Sequence, residues 1–402
     1  MNLRVTRLAI ASAACVALTA GAFATESTAV AKSKAKAPAI TYKNLSYKDF
    51  SLTYAAMKDI KPLAAKGKGS VAVILPDTTS STRYTEFDAP MLAKAFADAG
   101  LKSNQVIIQN GDGSDSTFIT DAQADITAGA KVLAIDPEDS ATGITVEKDA
   151  QAAGVKVIDY DRLTLGGTRN YYVSFNNVNV GTLLGNGLVA CVKAWKVTSP
   201  KVIVMRGSPT DNNATLFAQG YDAVLSKEFS GGGWTDVANP AGTWTPATAE
   251  TEFQQAFTAN PSANALLSPN DENAAPIITY LQQQGVKPYQ FPVTGQDATL
   301  VGLQNIISGY QCGTVYKPIF LEAQAAAALA MYLRANVKPP KSLVNAETTD
   351  SVSNTQVASI LETPEWVTPA NMESTIVKDG FVPASQICTG SYATDCTRYK
   401  IH

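Results

Sequence analysis

Residues 70–109 read SVAVILPDTTSSTRYTEFDAPMLAKAFADAGLKSNQVIIQ. An unbroken apolar run, Val71 to Leu75, is followed by a segment over 87–99 whose apolar residues recur at helical spacing, and then by a second run, Val106 to Gln109. Strand, helix and strand in that order make a βαβ unit. Strands apolar at every position, rather than at alternate ones, belong to a parallel sheet covered on both faces. The pattern repeats outward through Val132 to Ile135, Val155 to Tyr160 and Tyr171 to Phe175, with a further amphipathic segment over 118–128. A second series contains Lys201 to Met205, Ala265 to Leu267 and Pro292 to Thr294, separated by helical segments near 213–226, 247–259 and 272–284. Two series in a chain of 402 residues, too long for one ordinary core, predict an α/β protein of two Rossmann-like doubly wound lobes.

Hydrophobic residues make up 45% of the chain and charged residues 17%, enough apolar material for a large core. A formal charge of −3 supplies no basic field, so neither nucleic acid nor an anionic membrane is expected as a partner. Arg4 and Arg7 precede an apolar run from Leu8 to Ala24 that ends in the small-x-small triplet Ala22-Phe23-Ala24, the pattern of a signal peptide over 1–24. Cys15 invites a lipoprotein reading, but Ser12 stands where a lipobox has Leu and the apolar run continues past the cysteine. Export to the periplasm or the outer face of the cell membrane follows. Residues 25–69 read as a tether and N-terminal extension, with Tyr42, Phe50, Tyr54 and Met57 placed to dock a short helix on the first lobe. Cys191, Cys312, Cys388 and Cys396 would face an oxidising compartment, where two disulfides are expected. Four cysteines allow three pairings; the short Cys388 to Cys396 loop with Gly390 favours that pair and leaves Cys191 for Cys312.

Polar residues gather directly after the predicted strands, at Asp159 to Arg162, Ser208 to Asn213, Asn270-Asp271 and Gln296-Asp297. In open parallel sheets the strand C-termini face the crevice where ligands bind. The common chemistries of such crevices find no support. Gly181, Gly185 and Gly187 lie inside a helical stretch and no GxxxxGK[ST] occurs, so a phosphate loop is not expected, nor any cofactor. The run Asn110 to Ser116 lacks the Gly and Glu offsets of a calcium loop and reads as a turn capped by Asp115 or Ser116. The one histidine is His402, the last residue, and neither a GxSxG elbow nor an SxxK motif is present. Neither a metal site nor catalysis is expected. What remains is a set of Asp, Asn, Arg and Lys with an aromatic neighbour, which suits a monosaccharide: each hydroxyl donates and accepts, and the ring carries an apolar C–H patch.

The segments Tyr160-Asp161-Arg162, Ser208-Pro209-Thr210-Asp211-Asn212-Asn213-Ala214, Pro269-Asn270-Asp271, Gly295-Gln296-Asp297-Ala298, Thr314-Val315-Tyr316-Lys317-Pro318 and Val377-Lys378-Asp379-Gly380-Phe381 resemble the D-xylose-binding proteins of the type I periplasmic sugar-binding family, over about residues 70–382. The resemblance implies the type I periplasmic-binding-protein fold and a ligand shell of Arg83, Tyr84, Asp161, Arg162, Asn213, Trp244, Asn270, Asp297 and Lys317. Asp161 and Arg162 would grip neighbouring hydroxyls, Trp244 would stack on the ring, and Tyr84 replaces the tryptophan usual at that place. Asp211 and Asn212 suit helix capping as well as binding, as does Asn270. Lobe 1 would span 70–175 with 318–345 and lobe 2 would span 176–313 with 346–402, crossing near Phe175 to Asn177 and at 314–317. A monomer closing on D-xylose and delivering it to an ABC permease is the implied function. A sensor presenting the same closed lobes to a membrane receptor, and a sugar-modifying enzyme, are the alternatives.

Overall fold

Alternating side chains of β1 (Val71–Leu75) show why the run is apolar throughout. Val71, Val73 and Leu75 enter a core with Leu92, Phe96 and the helix Ile319–Arg334, while Ala72 and Ile74 pack on the other face with Phe118, Ala122 and Val146. A strand between two helical layers has no face left for polar residues. The computed structural model describes residues 41–402, so the expected signal peptide (1–24), with Cys15, and the tether over 25–39 lie outside the described residues.

In chain order the further strands are β2 (Val106–Asn110), β3 (Val132–Ile135), β4 (Lys156–Tyr160), β5 (Tyr171–Phe175), β6 (Lys201–Val204), β7 (Thr235–Ala238), β8 (Ala265–Leu267), β9 (Thr314–Tyr316), β10 (Ala346–Asp350), β11 (Thr355–Glu362) and β12 (Glu365–Val367). The first lobe holds a seven-stranded sheet of order β10-β11-β5-β4-β3-β1-β2, parallel except for the antiparallel edge strand β10. The second holds the parallel set β7-β6-β8, which continues through single bridges Leu266–Val293 and Gln296–Val315 to the antiparallel pair β9-β12. The strand expected at Pro292 to Thr294 is thus one bridge only.

Two helices of the second lobe, Asn177–Ala194 and Asn212–Ser230, lie unusually close. A methyl on Gly181 would strike the Phe217 carbonyl, and one on Gly220 the Val178 carbonyl. Gly181 and Gly185 therefore serve helix packing, with one helix close against the other, while Gly187 leaves room for the Trp366 ring. The turn before the helix Asp115–Thr127 is capped by Ser114, one residue earlier than expected, because its hydroxyl is the group that accepts from Thr117 N–H.

Residues 41–68 dock on the first lobe. Leu45, Phe50, Tyr54, Met57, Ile60 and Leu63 are buried in its core, and Tyr332 hydroxyl donates to the Lys43 carbonyl at 3.0 Å. Disulfides join Cys191 to Cys312 and Cys388 to Cys396. The second closes the tail, whose Ile387, Cys396 and Ile401 are buried in the core of the second lobe.

The lobe boundary expected at residue 346 is corrected. β11 pairs with β5 from Ser359–Tyr172 to Glu362–Phe175, and β10 pairs with β11, so 346–362 is the edge of the first sheet. The chain crosses between lobes three times: from β5 into the helix at Asn177, from β9 into the helix at Ile319, and from β11 into β12. β9 itself pairs within the second lobe, which moves the crossing expected at 314–317 to Lys317-Pro318.

A polar cleft between the lobes as candidate binding site

Arg83 lies on the loop leaving β1 and is 1% exposed. Its guanidinium donates to Asp88 at 2.7 and 2.9 Å, to Glu322 at 2.7 Å and to Asp161 at 3.1 Å. A buried cation held by three carboxylates is a rigid anchor whose donors are largely used within the protein. Tyr84 begins a short π-helical turn, Tyr84–Asp88. Its ring lies under the guanidinium groups of Arg83 and Arg162, with centroid distances of 5.3 and 5.8 Å. The hydroxyl donates to Asp161 at 3.1 Å and accepts from Arg162 at 3.3 Å. Tyr84 therefore brings a polar tip into the network, which the usual tryptophan has no hydroxyl to supply.

Asp161 follows β4 with φ of 57°, and Asp297 has φ of 87°. Both are non-glycine residues in the left-handed region, which surrounding structure must hold in place. For Asp161 the holding groups are visible: its carbonyl accepts from Tyr172 at 2.9 Å, Ser174 at 2.7 Å and the amide of Asn213 at 3.1 Å. The last of these crosses between lobes. Arg162 points into the cleft between Glu138 at 3.1 Å, Asp211 at 3.5 Å and Asp136 at 3.6 Å.

From the second lobe, Asp211 caps the helix Asn212–Ser230 by accepting from Asn213 N–H, and Asn270 caps the helix Asp271–Gln283 by accepting from Asn273 N–H. Capping and facing the cleft are compatible, because a helix N-terminus that follows a strand points into the crevice. Lys317, on the crossing, is 4% exposed and sits 2.9 Å from Asp297 Oδ1, close enough for an ion pair though without hydrogen-bond alignment. Trp244 fits over Gly207, where a methyl would strike the ring, and meets Phe217 edge-on at 6.3 Å.

One small cavity between the lobes brings together Arg83, Tyr84, Asp161, Arg162, Asn213, Trp244, Asn270, Asp297 and Lys317. Ser80, Ser81, Asp211, Phe217 and Gln296 also line it. Phe217 stands four residues after Asn213, a helical spacing that marks it as sharing a face with that residue. The two serines carry no such signal, since loop geometry alone brings them in.

Burial pushes Asp161 up, but Arg83, Lys317 and Arg162 together hold it below the usual carboxylate range. Asp136, fully buried, goes well above that range through burial that Arg162 only partly offsets. Burial likewise raises Glu138 to about 7 against the pull of Arg162. A crevice so rich in carboxylates disfavours phosphate-bearing ligands and offers fixed acceptors beside cationic donors, the combination a neutral polyol requires. Among the described residues no group of three or more His, Cys, Asp or Glu could hold a metal ion.

Residues 71–336 match the family described as periplasmic binding protein domain, and the chain belongs to that family. Its fold is the type I periplasmic-binding-protein fold. Within the family it is similar to sugar-binding members. The D-xylose-binding periplasmic protein of Escherichia coli K12 is 34% identical over 302 residues, 75% of this chain and 87% of the relative. The multiple sugar-binding periplasmic receptor of Rhizobium radiobacter is 30% identical over 343 residues, 82% of this chain and 95% of the relative. A carbohydrate transporter solute binding protein from Chloroflexus aurantiacus, solved with D-glucose, superposes with a TM-score of 0.70 at 27% identity, covering 79% of this chain and 98% of that one. These relatives are binding proteins, not enzymes. Among the described residues no helix is long and apolar enough to cross a membrane.

Proposed function

We propose that this chain is an exported solute-binding protein that captures a monosaccharide, D-xylose, between its lobes and presents the closed form to an ABC permease. The observation that carries the reading is the convergence of charged and amide side chains from both lobes, with one tryptophan, on a single small cavity. Asp161 and Asp297 supply acceptors, Arg162, Lys317 and the amides of Asn213 and Asn270 supply donors, and Trp244 supplies an apolar face for the ring. Contacts from two lobes make closure depend on the ligand, since a sugar bound to one lobe completes the other. No bond is made or broken.

Export is supported by Arg4, Arg7 and the apolar run to Ala24, and by the periplasmic names of the relatives. One relative is named a sugar-binding periplasmic receptor, which keeps a second reading in view: a sensor whose closed form signals capture of sugar.

Calorimetric titration of pentoses and hexoses tests the proposal. A pentopyranose lacks the hydroxymethyl group of glucose, and discrimination by a group of that size is worth about 1 to 3 kcal/mol. Xylose should bind about tenfold or more tighter than glucose. Tighter binding of glucose would overturn the choice of sugar, and absence of heat with every monosaccharide would overturn the reading itself.

A further inference from the structure

Three consecutive residues of the first lobe bond to the second. The Ser80 carbonyl accepts from the Asn270 amide at 3.0 Å, the Ser81 hydroxyl donates to Asp297 at 2.9 Å, and the Thr82 N–H donates to Glu272 at 2.8 Å. Asn270 and Asp297 line the cavity, but Glu272 does not. Its carboxylate is buried, and its second oxygen has no hydrogen-bond partner. A buried acid that touches the opposite lobe but not the ligand space serves the contact between lobes.

The loop that makes these bonds is shaped in advance. Asp77 accepts from the Thr79 and Ser80 N–H groups at 2.7 and 2.6 Å and from the Ser80 hydroxyl at 2.6 Å, and the Asn110 amide holds the Asp77 carbonyl at 2.8 Å. All of those partners belong to the first lobe, so the loop needs no second lobe to take its shape. Closure then costs little ordering at that edge.

We infer that Ser80–Thr82 is the latch of the closed state and that Glu272, outside the cavity, is a positioning residue that sets how long a captured sugar is retained. The inference rests on the sugar-binding reading for its ligand, while the lobe contact itself is made by side chains and backbone of this chain. In the open form Thr82 N–H and Glu272 are both hydrated, so the bond contributes only to the closed side of the equilibrium. Its loss should appear in dissociation rather than association.

The test compares Glu272→Ala and Glu272→Gln with the parent protein. D-xylose association and dissociation are followed by stopped-flow tryptophan fluorescence, and the radius of gyration is measured by X-ray scattering without sugar. Glu272→Ala should release xylose about threefold to tenfold faster with unchanged association, and its sugar-free form should be more open. Glu272→Gln keeps an acceptor oxygen for Thr82 and should restore dissociation to within about twofold of the parent. Parental dissociation in Glu272→Ala overturns the latch. So does Glu272→Gln behaving like Glu272→Ala, which would mean that helix stability and not the lobe contact was lost. Should the parent protein fail to bind xylose, the sugar-binding reading fails, and scattering from the two sugar-free variants still decides the latch.

Discussion

Asp211 accepts the indole N–H of Trp244 at 2.9 Å through Oδ2, the same oxygen that lies 3.5 Å from Nε of Arg162. One capping carboxylate thus orients the aromatic ring of its own lobe and pairs with a guanidinium of the other. The orientation of Trp244 is built into the polar network, so the ring is set before a sugar arrives. Trp244→Ala should weaken xylose and glucose together by about 1 kcal/mol or more, through loss of ring contacts. Asp211→Ala, which leaves the indole unheld, should weaken both in the same direction. Fluorescence or calorimetric titration reads the effect, and an indifferent Trp244→Ala would place the sugar elsewhere.

Asp297 and Arg162 face the cavity from opposite lobes, 5% exposed each. Truncating either leaves buried partners without a counterpart: Lys317 and Ser81 in one case, Asp136, Glu138 and Asp211 in the other. Asp297→Ala and Arg162→Ala should each cost about 2 to 4 kcal/mol of sugar binding. Unchanged calorimetric affinity in both would remove them from the ligand shell.

Glu362 sits at the third crossing with one carboxylate oxygen unpartnered, and burial pushes its pKa up to about 7 from an ordinary 4.5. The folded state therefore holds a proton that the unfolded chain releases between those two values. Stability from this group is greatest below pH 4.5 and declines as pH rises to 7, by about 3 kcal/mol in all. Glu362→Gln, always neutral, should lose less stability than the parent between pH 5 and pH 8. Parallel urea midpoints for the two proteins across that range would contradict the assignment.

Both disulfides constrain the unfolded chain, one across 121 residues and the other across 8. Protein lacking the expected signal peptide over 1–24 should show no reactive thiol until reduced, and reduction should lower stability by about 2 to 5 kcal/mol per bridge, more for the longer loop. Labelling of four thiols in native, unreduced protein would refute this.

Much of the architecture is legible locally. The runs at 71–75, 132–135 and 171–175 became strands with those bounds because burial on both faces favours apolar residues nearly throughout, Ser174 excepted, a pattern readable within five positions. The polar residues after the strands meet in one cavity because strand C-termini of parallel sheets share a side. The edge strands β10 and β11 were not legible as part of the first sheet. β10 reads AETTD, with alternate residues exposed, and nothing local links it to Tyr171–Phe175 far upstream.

The alternation of apolar strands with helices, the residue types placed after those strands and the family pattern were legible in the sequence alone, since periodicity and residue type act over neighbouring positions. Tertiary structure decided the partners: that Arg83 spends its donors on Asp88, Glu322 and Asp161, that the Tyr84 hydroxyl joins Asp161 to Arg162, and that Thr82 reaches Glu272. Each of these bonds joins groups whose separation is set by how the two lobes pack and close, and no local propensity encodes that distance.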